Sequence, residues 1–108
     1  MKKNSRILVT GGAGFIGSHL CDYLLYLGHE VIVIDNLSSG CKENLQGIIE
    51  NIEFYENDLE TFKLSALDNI DCVAHLAAQT SVPKSISNFY ASSHSNLIGS
   101  INVLDFCK

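Results

Sequence analysis

The stretch Ile7-Leu8-Val9-Thr10-Gly11-Gly12-Ala13-Gly14-Phe15-Ile16-Gly17-Ser18-His19-Leu20 decides the fold. A short apolar run precedes closely spaced glycines, and apolar residues then recur at helical spacing at Ile16, Leu20, Leu24 and Leu27. This pattern predicts a strand, a tight turn and the start of a helix. Glycines bring backbone N–H groups close to a ligand, and a helix N-terminus offers unpaired donors and partial positive charge to an anion. The stretch therefore predicts a cradle for a pyrophosphate.

The glycines fit two registers. Gly12, Gly14 and Gly17 form G-x-G-x-x-G, whereas Gly11, Gly14 and Gly17 form G-x-x-G-x-x-G with Thr10 just before it. An ordinary glycine-rich turn between a strand and a helix is the alternative to a binding motif. The predicted strand before the glycines and the predicted helix after them favour the binding motif.

An acidic residue follows the second predicted strand. Residues 31–34 form a continuous β-branched run, which is typical of a strand buried on both faces, and the run ends at Asp35. Asp35 lies 18 residues beyond Gly17, close to the distance at which a dinucleotide fold places an acid against the adenosine ribose. Its charge would repel a 2′-phosphate, so the sequence favours NAD over NADP. The alternative for Asp35 is that it only ends a strand. Asn36 either joins Asp35 at the adenosine or only forms a turn.

Length, charge and composition indicate what kind of protein this is. The 108 residues suffice for one domain, and a net charge of −5 without a basic stripe argues against a nucleic-acid partner. The apolar run after Arg6 is broken at Thr10-Gly11-Gly12, so it is neither a signal peptide nor a membrane span, and we expect a cytoplasmic protein. The cysteines lack C-x-x-C spacing and the histidines lack a ligand pattern, so we expect free thiols and no metal site.

The middle of the chain predicts a short helix over residues 44–49, a third strand over 52–55 and a further helix. Asn57 would cap that helix, Glu60 would complete a capping box, and apolar residues follow at Leu59, Phe62, Leu64 and Leu67. Asp58 has two interpretations at this point. It either accepts a hydrogen bond from the adenine amino group or only favours the helix N-terminus.

A fourth strand over residues 72–76 leads into Ala77 and Ala78, whose small side chains allow close approach of a ligand. His75 is either an acid or base, or a hydrogen-bonded core residue. A last helix from about residue 88 carries Leu97, Ile101 and Leu104 on one face. The alternation of strands and helices predicts an α/β fold, the first half of a doubly wound parallel sheet with strand order 3-2-1-4.

Five motifs in order carry a family resemblance: residues 10–20, 35–40, 57–59, 75–79 and 81–85. Together they resemble the N-terminal part of the extended short-chain dehydrogenase/reductase family, and most closely its NAD-dependent nucleotide-sugar epimerases and dehydratases of the UDP-glucose 4-epimerase type. The resemblance implies that residues 1–108 are the N-terminal part of an NAD-binding Rossmann domain and that the substrate domain is absent.

The resemblance also implies which residues contact NAD and substrate. The glycine turn would hold the pyrophosphate, the loops after strands two and three the adenosine, and the fourth strand the ribose and nicotinamide side, with an asparagine on the last helix. The implied cofactor residues are Gly11, Gly14, Phe15, Ile16, Gly17, Asp35, Asn36, Ser39, Gly40, Asp58, Leu59, Leu76, Ala77, Ala78 and Asn96. Ser81 would lie near the entrance to the sugar site.

Family members pass a hydride from a sugar hydroxyl to bound NAD and back, and the tyrosine of a Tyr-x-x-x-Lys pair handles the proton. This chain has no such pair, because Leu27, Glu30, Leu59 and His94 stand four residues after its tyrosines. The resemblance thus implies the NAD-binding portion of an enzyme, a UDP-hexose 4-epimerase that is a homodimer when complete, while the chain alone is inactive. The alternatives are a 4,6-dehydratase or reductase of the same family, and a non-catalytic nucleotide-binding module.

Overall fold

The computed structural model describes residues 4–38, 40–59, 61–77, 100–104 and 106–107. Its strands are β1 (Arg6–Thr10), β2 (Glu30–Asp35), β3 (Glu53–Glu56) and β4 (Cys72–His75). Helix α1 spans Phe15–Tyr26, and short 3-10 helices span Lys42–Leu45, Ile49–Asn51 and Leu64–Ala66. Residues 100–104 and 106–107 are helical and are called the C-terminal helical segment below.

The four strands form one parallel sheet in the order β3-β2-β1-β4. This is the predicted order of the first half of a Rossmann sheet. Thr10 aligns with Ile34 on β2 and with His75 on β4, so these strands end together. We call this end the carboxyl edge, and it is where ligands bind in open parallel sheets.

The sheet is covered on both faces. Ile7, Val9, Val31 and Val33 pack with Cys21 and Leu24 of α1 on one face, whereas Leu8, Ile32 and Ile34 pack with Leu64, Leu67 and Val103 on the other. Burial raises the pKa of the Cys21 thiol to about 12, which fits a cysteine that acts as a small core residue. The run over β2 is buried on both faces, as the sequence predicted.

Helix α1 ends just before a glycine. It ends at Tyr26, and Leu27 is its C-cap. Gly28 follows with a φ of +92°, a conformation that glycine adopts without steric cost, as expected at a helix end. The N–H of His29 then bonds the Leu24 carbonyl at 3.0 Å, so the chain turns directly into β2.

The helix predicted after Asn57 is wrong. Only one helical turn forms, in which Phe62 N–H bonds the Asp58 carbonyl at 3.0 Å, and Lys63 is then extended before the 3-10 helix Leu64–Ala66. The apolar spacing explains this, since Leu64 lies five positions after Leu59 and would leave the face shared by Leu59 and Phe62. The irregular path brings all four predicted apolar side chains to the sheet.

Two other helix predictions need correction. The segment 44–49 is not one helix, because the chain forms the 3-10 helices Lys42–Leu45 and Ile49–Asn51 instead. In the C-terminal helical segment Val103 is 3% exposed and Phe106 packs beside it, whereas Ile101 and Leu104 are exposed. The predicted start of this helix near residue 88, and Leu97, lie outside the described residues.

An ion-pair network ties the strands together at the opposite, amino edge. The Arg6 guanidinium lies 3.1 Å from both Glu30 of β2 and Glu53 of β3. Its Nε also donates to the Asp68 carbonyl at 2.9 Å, and the Arg6 backbone N–H donates to Asp71 Oδ2 at 2.8 Å. Hydrogen bonds to Glu53, and more weakly to Glu30, raise the pKa of Arg6. The Arg6 contacts thus link β1, β2 and β3 to the segment that precedes β4.

Candidate functional site

The glycine turn packs directly on the end of β4. Gly11 has a φ of +72°, and its N–H donates to the Ile34 carbonyl at 2.9 Å. A Cβ at Gly11 would lie 2.8 Å from Ala77 N and 2.9 Å from Ala77 Cα. Gly11 therefore needs both the conformation and the small size of glycine, and the turn between β1 and α1 is fixed against the segment that follows β4.

The other glycines of the turn differ in whether a larger side chain would fit. A Cβ at Gly17 would collide with the Gly11 carbonyl and lie 2.8 Å from Gly12 Cα, and one at Gly12 would lie 2.7 Å from a Val33 methyl group. Both positions therefore need glycine for packing. At Gly14 the nearest atom would be the Gly11 carbonyl oxygen at 3.4 Å, an ordinary contact. Gly14 is the one of the four that the fold itself does not require to be glycine.

The first turn of α1 faces out from the carboxyl edge without a cap of its own. Gly14 is the N-cap and has no side chain with which to cap the helix, and the first turn has no acidic residue. The N–H groups of Phe15, Ile16 and Gly17 occupy the positions that have no partner within a helix. Donors in a first turn that has no acidic side chain of its own suit an external anion, so the geometry fits the pyrophosphate cradle predicted for these residues.

Asp35 is buried beside this turn and holds it in place. It is 8% exposed, its Oδ2 accepts from Ala13 N–H at 2.9 Å, and its Oδ1 accepts from Leu37 N–H at 2.8 Å. The Ala13 carbonyl accepts in turn from Cys41 N–H and from Asn44 Nδ2. Each carboxylate oxygen has more than one acceptor site, so Asp35 can serve the turn and a ribose hydroxyl together.

Asn36 and Asp58 join the loops after β2 and β3. Asn36 Nδ2 donates to Asp58 Oδ1 at 2.8 Å, and Asn36 Oδ1 accepts from Ser38 N–H at 2.9 Å. The predicted turn role of Asn36 is therefore present. Asn57 lies beside the pair, since its N–H donates to the Asp35 carbonyl at 3.2 Å.

A hydrogen-bond chain crosses the carboxyl edge from β1 to the C-terminal helical segment. The buried Thr10 Oγ1 accepts from Leu76 N–H at 3.0 Å and from Ala77 N–H at 3.2 Å, and it lies 2.7 Å from His75 Nδ1. Because two amides already donate to this hydroxyl, its proton points to Nδ1, which leaves Nε2 to donate to Ser100 Oγ at 3.0 Å.

These hydrogen bonds determine the protonation state of His75. Partial burial lowers the pKa of His75, which agrees with the neutral ring that the hydrogen bonds require. The alternative of a hydrogen-bonded structural histidine is thus favoured over an acid or base, although the residue is not buried as a core residue would be. No pattern in the sequence pointed to the contact with Ser100.

The remaining residues predicted to bind the cofactor or substrate lie in several different places. Gly40 packs on the glycine turn, since a Cβ there would lie 2.7 Å from Ala13 C, and Leu59 packs on the opposite face of the sheet. Leu76 and Ala77 follow β4 next to Gly11. The predicted residues Ser39, Ala78, Ser81 and Asn96 lie outside the described residues. Within the described ranges, no helix has the length and apolarity that crossing a bilayer requires.

Comparison with known proteins supplies the family. Residues 7–108 match the model of the NAD-dependent epimerase/dehydratase family. UDP-glucuronic acid decarboxylase 1 of Danio rerio is 41% identical over 110 residues, covering 99% of this chain and 25% of the relative. A putative UDP-glucose 4-epimerase of Methanocaldococcus jannaschii is 40% identical over 104 residues, covering 94% of this chain and 33% of the relative.

A solved structure agrees in fold. The crystal structure of UDP-glucose 4-epimerase from Thermotoga maritima with UDP-glucose superposes with a TM-score of 0.84 at 46% identity, covering 94% of this chain and 33% of that one. The chain thus spans a quarter to a third of the length of these relatives. Since the family model covers nearly all of its residues, the chain belongs to the NAD-dependent epimerase/dehydratase family.

Proposed function

We propose that this chain binds NAD at the carboxyl edge and forms the cofactor-binding portion of a nucleotide-sugar epimerase. One observation carries the proposal. The uncapped N-terminus of α1 and the buried Asp35 carboxylate lie side by side, joined through Ala13 N–H, which directly precedes the N-cap Gly14. A dinucleotide needs these two groups next to each other, donors for its pyrophosphate and an acceptor for its adenosine ribose.

Each residue of this arrangement then has a defined task. The N–H groups of Phe15, Ile16 and Gly17 donate to the pyrophosphate, and the bare Cα of Gly14 lets it approach the backbone. The Asp35 carboxylate accepts from the ribose hydroxyls and would face a 2′-phosphate with like charge, so NAD is preferred over NADP. Leu76 and Ala77 extend the site toward the nicotinamide.

When bound, NAD supplies reversible hydride transfer to and from a sugar carbon. The chain positions the cofactor for this step but has no Tyr-x-x-x-Lys pair to move the hydroxyl proton. A positioned acid or base contributes about 10²–10⁴ in rate. We therefore propose that these 108 residues alone bind NAD without turning over a sugar substrate.

UDP-hexose 4-epimerisation is the reaction that we propose for the complete enzyme, because a UDP-glucose 4-epimerase structure is 46% identical to this chain. A UDP-sugar decarboxylase is the second candidate, since UDP-glucuronic acid decarboxylase 1 of Danio rerio is 41% identical. A 4,6-dehydratase or a reductase would use the same cofactor portion. We also propose that the complete enzyme is a homodimer in the cytoplasm.

Calorimetric titration of the chain with NAD and NADP tests the binding. We expect saturable binding of NAD and at least about tenfold weaker binding of NADP, since like charges brought together cost about 1.4 kcal/mol or more. Gly14→Ala should abolish NAD binding and leave the fold intact. Gly47→Ala is the matched control, because a Cβ there meets nothing within 4 Å.

Two results would contradict the proposal. If NAD does not bind, or if NADP binds as tightly as NAD, the assignment of Asp35 and the glycine turn is wrong. Chromatography of UDP-glucose incubated with the chain and NAD tests the second part, and we expect no UDP-galactose. Turnover by the chain alone would show that its own residues supply the acid or base.

A further inference from the structure

The Ala13 carbonyl is held by two donors from the loop after β2. It accepts from Asn44 Nδ2 at 2.8 Å and from Cys41 N–H at 3.1 Å. A carbonyl oxygen has two lone pairs, so both of its acceptor positions are in use. The N–H group of the same residue donates to Asp35 Oδ2 at 2.9 Å. Ala13 is therefore fixed on both sides by groups that lie outside the glycine turn.

The Ala13 carbonyl belongs to the peptide group that leads into α1. In this planar group the carbonyl of Ala13 and the N–H of Gly14 point in opposite directions. The Gly14 N–H donates to the Gly11 carbonyl at 3.2 Å, and Gly14 has no Cβ to resist rotation of the peptide. Without the donors of the loop, the peptide would be free to turn its carbonyl, with its partial negative charge, toward the start of α1. The two donors thus keep that oxygen away from the place where an anion would bind.

Asn44 reaches the turn from a well-anchored backbone. It lies in the 3-10 helix Lys42–Leu45, where its N–H donates to the Cys41 carbonyl at 3.1 Å. The next residue, Leu45, is fully buried in the core beside α1. Asn44 itself is exposed, so the core does not depend on its side chain. The amide points its NH₂ group at the Ala13 carbonyl, because only that end can donate.

We propose that Asn44 is a positioning residue for the cofactor, which holds the Ala13 carbonyl on the loop side and so keeps the first N–H groups of α1 directed at the pyrophosphate. The inference rests on the proposed binding of NAD. Asn44 acts through Ala13 and needs no contact with the cofactor. A site whose donors are fixed before the ligand arrives binds more tightly, because binding does not have to order them.

Titration of NAD into Asn44→Ala tests the inference. We expect about three- to tenfold weaker binding, which is the loss that removal of one hydrogen bond would give. The fold should survive, because Cys41 N–H still donates to the Ala13 carbonyl, and an unchanged circular dichroism spectrum checks this. Asn51→Ala is the matched control. It removes the same side chain from the 3-10 helix Ile49–Asn51, just before β3 begins and thus at the amino edge, and should bind NAD as the unmodified chain does.

Asn44→Leu separates hydrogen bonding from packing. Leucine is close to asparagine in size but cannot donate a hydrogen bond. If Asn44 acts as a donor to Ala13, Asn44→Leu should lose as much affinity for NAD as Asn44→Ala does.

The NMR amide resonances at saturating NAD test the positioning itself. In Asn44→Ala, the resonances of Phe15 and Ile16 should end at positions different from those of the unmodified chain, because the donors to the pyrophosphate are displaced. The resonance of Asn36, on the adenosine side, should end at the same position in both. A chain that is only less stable would give identical end points once saturated.

The outcomes separate this inference from the function on which it rests. If Asn44→Ala binds NAD as tightly as the unmodified chain, or if Asn44→Leu restores the affinity, Asn44 is not a positioning donor and the inference is overturned while NAD binding stands. Identical end points for Phe15 and Ile16 would likewise overturn it. If the unmodified chain does not bind NAD, the proposed function fails and the inference fails with it.

Discussion

Gly11→Ala should destabilise the fold more than its size suggests. The φ of +72° costs an alanine about 1–2 kcal/mol. Its Cβ would also lie 2.8 Å from Ala77 N and 2.9 Å from Ala77 Cα. Both are backbone atoms, so no side chain can swing aside, and a forced backbone shift costs about 1–3 kcal/mol. The stiffer unfolded chain offsets about 0.4–1 kcal/mol, which leaves a net loss of about 2–4 kcal/mol.

Chemical denaturation of the chain, followed by far-ultraviolet circular dichroism, measures this loss. Thermal unfolding should show a decrease in Tm on the order of 10–20 °C for a domain of this size. Gly47→Ala is the control, because it changes the same residue type where a Cβ has open space, and it should leave stability unchanged or slightly raised. A Gly11→Ala variant within about 0.5 kcal/mol of the unmodified chain would refute the tight packing of the turn on β4.

Three further changes test the two edges of the sheet. Thr10→Val should cost about 1–3 kcal/mol in urea unfolding, because it leaves Ala77 N–H and His75 Nδ1 without their partner, whereas Thr10→Ser should retain most of that stability. Since the pKa of His75 is lowered by burial, the unfolded chain takes up a proton first as the pH falls below about 6.5. Stability should therefore decline as the pH falls from there through the folded pKa, His75→Gln should remove that part of the decline, and an identical pH profile for the variant would contradict the assignment. Arg6→Leu should cost about 1 kcal/mol at low salt and less at 1 M salt, and an equal loss under both conditions would rule out an ion-pair contribution.

The strand order and the conformation of the glycine turn were predictable because their signals are local. The β-branched run before Asp35 and the glycines after Thr10 each specify one backbone geometry, so strand order 3-2-1-4 followed from few choices. The helix after Asn57 was not predictable from capping residues, since packing of Leu64 against the sheet overrides the local preference. Local signals thus determined the elements that they span, and tertiary contacts determined the connections.

The roles of individual side chains at the site were only partly predictable. The spacing predicts a ribose contact for Asp35 but gives no sign of the hydrogen bond by which Asp35 holds Ala13, because that bond joins residues 22 positions apart. The contacts of Asn36 with Asp58 and of His75 with Ser100 likewise depend on where separate loops meet. Spacing identifies which residues gather at the carboxyl edge, whereas their hydrogen-bond partners follow from the assembled fold.

The most direct test of the central claim is a titration of the isotopically labelled chain with NAD, followed by the NMR amide resonances. If the uncapped start of α1 holds the pyrophosphate, the amides of Phe15, Ile16 and Gly17 should shift most and saturate together. Amides at the amino edge, such as those of Arg6 and Asp71, should stay in place. Unchanged resonances at the glycine turn under millimolar NAD, or larger shifts at the amino edge, would contradict the account.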